Sequence, residues 1–412
     1  MSDPLVSRMR RFGTTIFAEM SALAVRTGSI NLGQGFPDTD GPASMLDRAV
    51  EAIRSGVNQY PPGPGLPQLR QAVSEHRRLH YGLDYDPDGE VLVTVGATEA
   101  IAATVLALCE QGDEVIAFEP YYDSYAASIA LAGARLAAVT LRPKEGRFTF
   151  DPDELRAAVT PRTRAILVNS PHNPTGTVFT REELAVIAEV CQERDLIAIT
   201  DEVYEHLTFD GVAHVPLATL PGMRERTVMI SSAGKTFSVT GWKTGWVCAP
   251  PELTRAAQTV KQFLTFTVGG PWQLAVAHGP ARGAGLGGRA AGGAAEQARQ
   301  AHERVVGRGL RGAEAVGHLL RADRHQAAGL HRRARADQAP ARAGRRGGHP
   351  DAGLLRPPRA RKALRQVRLL QEGRGHRRGG DQAQATRLIL VYRYAAWRSW
   401  WSTPTASTAA PA

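Results

Sequence analysis

Between Val91 and Tyr122 the chain passes from a short apolar run through a helix-period stretch into a second apolar run, VLVTVGATEAIAATVLALCEQGDEVIAFEPYY. The runs do not alternate apolar with polar. That is the mark of strands covered on both faces, as in a parallel sheet. The same pattern predicts strands over Ala165–Pro171, Leu196–Glu202, Thr227–Ser232 and Trp246–Pro250, with a helix over Arg181–Arg194. Strands alternating with helices imply an α/β domain with a mainly parallel sheet between helices. Upstream, Ile16, Met20, Leu23 and Ala24 share one helical face in an N-terminal arm, residues 1–30. A Gly-rich loop, INLGQGFPD, follows, then helices over Leu46–Arg54 and Leu66–Tyr81 separated by the turn NQYPPGPG.

Composition changes this picture only in the last third. The 412 residues suffice for two domains, and the formal net charge is +10. That charge is not spread evenly. From Gly279 onward there is no Phe, Met or Asn, Lys362 is the only Lys, and Ile389 is the only Ile. Arg, Ala, Gly and His fill the space, as in HRRARADQAPARAGRRGG. The expected division is therefore an arm (1–30), an α/β domain (31–278) and a basic tail (279–412). Cys109, Cys191 and Cys248 are widely spaced and form no C-x-x-C pair, so they read as small buried hydrophobes in a reducing compartment. The N-terminus lacks an apolar signal region and no run is long enough to span a bilayer, so a cytoplasmic protein is expected.

The chemistry concentrates in two segments, DEVYEHL from Asp201 and SSAGKTFSVTGWKTGW from Ser231. Lys235 stands among small residues, and Lys243 follows at a short fixed spacing. Asp201 ends an apolar strand, where a carboxylate is costly unless it is paired. An amine that can form a Schiff base, with a carboxylate to face a pyridinium nitrogen and a phenol to face a ring oxygen, is apparatus for pyridoxal phosphate. No metal is called for. The plain alternatives are a solvated loop lysine and a helix-capping Asp.

In this order, together with GATEA, EPYYDSY and NSPHNPTG, these motifs resemble the class I/II aminotransferases of pyridoxal phosphate fold type I. The likeness covers residues 30–278 and is closest to the group holding kynurenine/glutamine and bacterial N-succinyldiaminopimelate aminotransferases. The resemblance implies Lys235 as the Schiff-base lysine, Asp201 opposite the ring nitrogen, and Tyr204 and Asn173 on the ring 3-oxygen. It places Asn169 near the substrate. It assigns the phosphate to Gly96, Ala97, Thr98, Ser232 and Lys243, the last where many relatives carry Arg. Tyr122 would stack on the ring, with Tyr121 and Tyr125 as rivals. Tyr60 would reach the phosphate of a neighbouring subunit, which implies a homodimer. Gly33 and Gly35 would close over the substrate carboxylate, or form a plain turn. The implied reaction moves an amino group from an amino acid to a 2-oxo acid. A carbon–sulfur β-lyase on the same fold is the alternative. A basic nucleic-acid-binding protein rests on the tail charge alone; no nucleic-acid or membrane partner is expected.

Such a family continues into a small C-terminal domain with a GTYF-type strand and a late arginine for the substrate carboxylate. Neither occurs here. Codons permitted for Gly317–Leu330, GHLLRADRHQAAGL, read one base further on, allow GTYFVQTDIKPLGY. Ala363–Ala385 treated likewise allows RYVRFAFCKKAAVIDEAVTKLK. Two family-like segments, in order and in one shifted frame, point to a frameshift near Gly279. The tail would then carry no designed binary pattern, would be poorly ordered, and would leave the helix beginning near Pro251 without its packing partner. Activity of this chain would suffer accordingly.

Overall fold

The computed structural model describes residues 4–29 and 40–279. Gly33, Gly35 and the tail beyond Gly279 lie outside the described residues.

After the arm helix α1 (Ile16–Thr27) come α2 (Ala43–Arg54) and α3 (Pro67–Tyr81). Strand and helix then alternate: β1 (Val91–Val95), α4 (Gly96–Leu108), β2 (Glu114–Glu119), α5 (Asp123–Leu131) and β3 (Arg135–Thr140). A hairpin of β4 (Arg142–Lys144) and β5 (Arg147–Thr149) leads to α6 (Pro152–Ala158), β6 (Thr163–Asn169), α7 (Arg181–Glu193) and β7 (Ile197–Asp201). The series closes with β8 (Thr227–Ser232), α8 (Ala233–Thr236), β9 (Thr244–Cys248), α9 (Pro251–Leu264) and α10 (Gly270–His278). Local chemistry sets the boundaries. Pro67 opens α3 and Gly82, in the left-handed region, ends it. At α7 the Thr180 hydroxyl accepts from the Glu183 N–H while the Glu183 carboxylate accepts from the Thr180 N–H.

The seven-stranded sheet runs β1-β9-β8-β7-β6-β2-β3, with β9 antiparallel to both its neighbours and the other pairs parallel. Successive residues face opposite sides. Val115 and Ala117 pack with α4, α5 and α9, while Ile116 and Phe118 pack with α6 and α7. On that second side, the β1-β9-β8 end is covered by Met45 of α2, Leu69 and Val73 of α3, and Val276 of α10. Being covered on both faces is why the strands read as unbroken apolar runs.

One expectation is corrected. The helix from Pro251 keeps a partner, because α9 lies along α4 with Thr254, Ala257 and Lys261 buried. Its apolar stripe finds the large domain, whatever follows in the chain. All three cysteines are free and buried, and burial pushes each thiol up to about 12. No helix among the described residues is long and apolar enough to cross a membrane.

A fully buried ion pair forms a clamp between α3 and the segment after β7. The Arg77 guanidinium donates to both Glu205 oxygens, one bond at 2.7 Å, with side chains 0% and 1% exposed. The Tyr81 hydroxyl at 2.7 Å and the Ser231 hydroxyl at 2.5 Å complete the shell of the carboxylate. Burial alone would raise the Glu205 pKa, but the Arg77 charge overrides it and holds the carboxylate well below its usual range. Beside the clamp, burial and then the Arg77 charge drive His76 down to about 2, so that imidazole stays neutral.

Removing one partner of such a pair leaves the other charged and dry. We expect Arg77→Met to lower the stability of the α/β domain by about 3–5 kcal/mol, measured from the denaturant midpoint. A loss below about 1 kcal/mol would mean that the clamp contributes little.

Candidate cofactor site

Three adjacent parallel strands end in polar residues: β6 in Asn169, β7 in Asp201 and β8 in Ser232. The register aligns these ends. Asn169 pairs with Asp201, Ser232 with Gly245, and Val95 with Thr244. Because β9 runs antiparallel, Lys243 just before it reaches the same edge as Gly96 just after β1. A crevice outside the carboxyl ends of parallel strands is where open α/β sheets bind ligands.

The β1-to-α4 junction is built for close approach. Gly96 has φ +68°, which side chains rarely tolerate, and a Cβ on Gly245 would lie 2.6 Å from the Gly96 carbonyl carbon and 2.8 Å from the Ala97 nitrogen. Both contacts are with backbone, which cannot yield. Glycine at 245 therefore lets β9 press against the start of α4. The Lys243 ammonium stands 3.5 Å from where a Cβ on Gly96 would sit. The first N–H groups of α4, from Ala97 and Thr98, lack intrahelical acceptors and carry the positive end of the helix dipole. A helix N-terminus with a lysine across it suits an anion.

Asp201 is 4% exposed. Its Oδ2 accepts from the Tyr125 hydroxyl at 2.6 Å and its Oδ1 from the Val203 N–H at 3.3 Å. Burial outweighs these bonds and raises its pKa to about 6. A buried carboxylate held this high still lacks a fully satisfying cationic partner. Lys235, in α8 directly after β8, sits with its ammonium 5.7 Å from the Tyr204 ring centroid. Burial lowers its pKa, and the Asp201 charge only partly opposes that.

Asn169 is 2% exposed and its amide braces the loop that follows. Its Nδ2 donates to the Asp201 carbonyl at 2.8 Å, and its Oδ1 accepts from the Asn173 N–H at 2.6 Å. Among the three tyrosines, Tyr121 is packed in the core and Tyr125 is bound to Asp201, whereas Tyr122 is half-buried and bonds the Thr98 side chain. The structure thus brings Lys235, Asp201, Tyr204, Asn169, Asn173, Ser232, Gly96, Ala97, Thr98, Tyr122 and Lys243 to one sheet edge. Tyr60 stands apart, 84% exposed and edge-on to Phe266 at 5.6 Å. Sequence reasoning missed the braces: Tyr125 as partner of Asp201, and Arg77 with Glu205. A buried Arg in the helix pattern of α3 was the available signal.

The aminotransferase class I and II family model matches residues 27–286. The chain belongs to that family. Its match ends close to the compositional break at Gly279. A probable N-succinyldiaminopimelate aminotransferase of Mycobacterium tuberculosis is 59% identical over 272 residues, 66% of this chain and 68% of the relative. A methionine aminotransferase of Escherichia coli is 42% identical over 278 residues, 67% and 72% of the two chains. The solved structure of the N-succinyldiaminopimelate aminotransferase from Mycobacterium tuberculosis has a TM-score of 0.71 at 54% identity, covering 74% of this chain and 78% of that one. The fold is that of the fold type I aminotransferases, and the cofactor of the family is pyridoxal phosphate. The residues fit that group: an anion cradle at α4, an amine of lowered pKa, and a buried carboxylate short of a cation.

Asp201 sets a pH dependence. Its pKa rises from 3.8 to about 6 on folding, so the folded state binds more protons between those values. Stability from this group therefore falls as pH rises through that window and stays penalised above it. The penalty is on the order of 2–3 kcal/mol. We expect cofactor-free Asp201→Asn protein to melt higher than the parent at pH 8, with the gap narrowing toward pH 5. A gap that does not depend on pH would show that Asp201 is ionised throughout.

Proposed function

We propose that this aminotransferase moves an amino group from an amino acid to a 2-oxo acid, with Lys235 and Asp201 as the central pair. The observation that carries the reading is their common placement: a buried amine and a buried carboxylate, at the ends of adjacent strands, each shifted toward its neutral form. When bound, the cofactor supplies a carbonyl carbon for the amine and a ring that draws electrons from the substrate Cα. The neutral Lys235 amine is the nucleophile, and afterwards the base that carries the proton at the substrate Cα. Asp201, steadied by Tyr125, holds a cationic ring nitrogen. Tyr204 and Asn173 would orient the ring oxygen, Tyr122 would lie against the ring, and Gly96, Ala97, Thr98, Ser232 and Lys243 would hold the phosphate. The relative at 59% identity supports an N-acylated diamino acid as the amino donor.

The enzyme is further proposed to be a cytoplasmic homodimer. Tyr60 and Phe266, edge-on to each other at 5.6 Å, are 84% and 46% exposed, and Phe263 is 83% exposed, which is large for side chains facing only water. The tail is proposed to be translated out of frame from about Gly279. The chain then lacks the small domain and its carboxylate-gripping arginine, and turnover is weak.

Two measurements test this. Borohydride reduction after incubation with pyridoxal phosphate should fix cofactor mass on the peptide containing Lys235, and Lys235→Ala should abolish the labelling. Labelling that persists elsewhere in that variant would reassign the lysine. Restoring the shifted frame at codon 279 should raise transaminase turnover by about 10²-fold or more, given the 2–5 kcal/mol that loss of a buried charge contact costs. Equal turnover before and after repair would refute the frameshift account.

A further inference from the structure

Three histidines outside the cofactor site face one another on the solvent side of the Arg77–Glu205 clamp. His76 and His80 lie one turn apart on α3, so their side chains share a face. His206 approaches from the segment after β7. The ring centroids are 4.4 Å apart for His76 and His80, 4.9 Å for His76 and His206, and 5.3 Å for His80 and His206. The Nε2 atoms of His76 and His206 are 2.8 Å apart. The ligating atoms of His76, Glu205 and His206 fall within 4.8 Å of one another. The buried Nδ1 of His76 has no hydrogen-bond partner, which is unusual for a polar atom in that position.

We propose that His76 and His206, joined by His80, form a site for a borderline divalent transition metal of the zinc class. Neutral imidazoles are the favoured ligands of such ions. At a Zn–N distance of about 2.0–2.1 Å, tetrahedral geometry needs ligand nitrogens about 3.3 Å apart. The His76–His206 pair is 0.5 Å short of that, a small opening of two side chains. Glu205 is not a ligand, because its oxygens already accept from Arg77, Tyr81 and Ser231. It does offset the Arg77 charge that would otherwise repel the ion. His80 is exposed and supplies the way in, while water completes the coordination. The metal would tie α3 to the segment carrying Tyr204 and Glu205, a clip rather than a part of the transfer chemistry. The candidate site is empty.

Full-length protein, freed of metal with chelator, should be titrated with Zn²⁺ by calorimetry and with Co²⁺ by visible absorption. One ion per chain is expected, with a tetrahedral cobalt spectrum and a melting temperature raised by about 5 °C at saturating zinc. His76→Gln and His206→Gln should each weaken binding at least 100-fold, and His80→Gln about 10-fold. His214→Gln should leave it unchanged, because His214 is bonded to Glu202 at 2.8 Å. If the two partly buried variants fail to fold, the exposed His80→Gln decides the question. Zinc affinity unchanged in His80→Gln, or a stoichiometry near zero for the parent, would overturn the proposal.

Discussion

A guanidinium and a carboxylate, both removed from water, fix the geometry on which the cofactor site depends. Arg77 on α3 and Glu205 after β7 are in bidentate contact, with Tyr81 and Ser231 closing the shell. Ion pairs of this kind add little net stability compared with apolar packing, but they are intolerant of partial loss. Their value here lies in direction. Glu205 follows Tyr204, and Ser231 precedes Ser232, so the clamp ties α3 to two of the segments that bear site residues.

From that anchor the site follows from strand register. Parallel β6, β7 and β8 place Asn169, Asp201 and Ser232 in a row, and antiparallel β9 brings Lys243 back to the same edge. Burial then does the chemical tuning. It pushes the pKa of Asp201 up and that of Lys235 down, which leaves a carboxylate that gains from a cationic partner and an amine readily available in its neutral, nucleophilic form. The same low-dielectric setting that penalises the Asp201 charge is what makes the site receptive to a cation.

Much of this was legible in the chain. The unbroken apolar runs located β1, β2, β6, β7, β8 and β9 to within a few residues, because a strand covered on both faces must be apolar at every position. Strand β3 was harder to see. RLAAVT has only one fully buried residue, Val139, and its pattern is that of an edge. The residues proposed to hold the cofactor stood out in the chain because each lies in a short motif whose chemistry needs that residue type. Tyr125, Arg77 and Glu205 were not, because their partners lie 76 and 128 positions away.

The sequence by itself determined the α/β class, the strand and helix order and the family, and it singled out Lys235 and Asp201 as candidates. It also marked the break in composition at Gly279. These are properties of local pattern and residue type. Only the tertiary structure decided that β9 runs antiparallel, that α9 packs on α4, that Tyr125 rather than another tyrosine supports Asp201, and that three histidines from two distant segments meet. Those outcomes depend on which surfaces come within a few ångströms after folding, and no short stretch of sequence carries that distance.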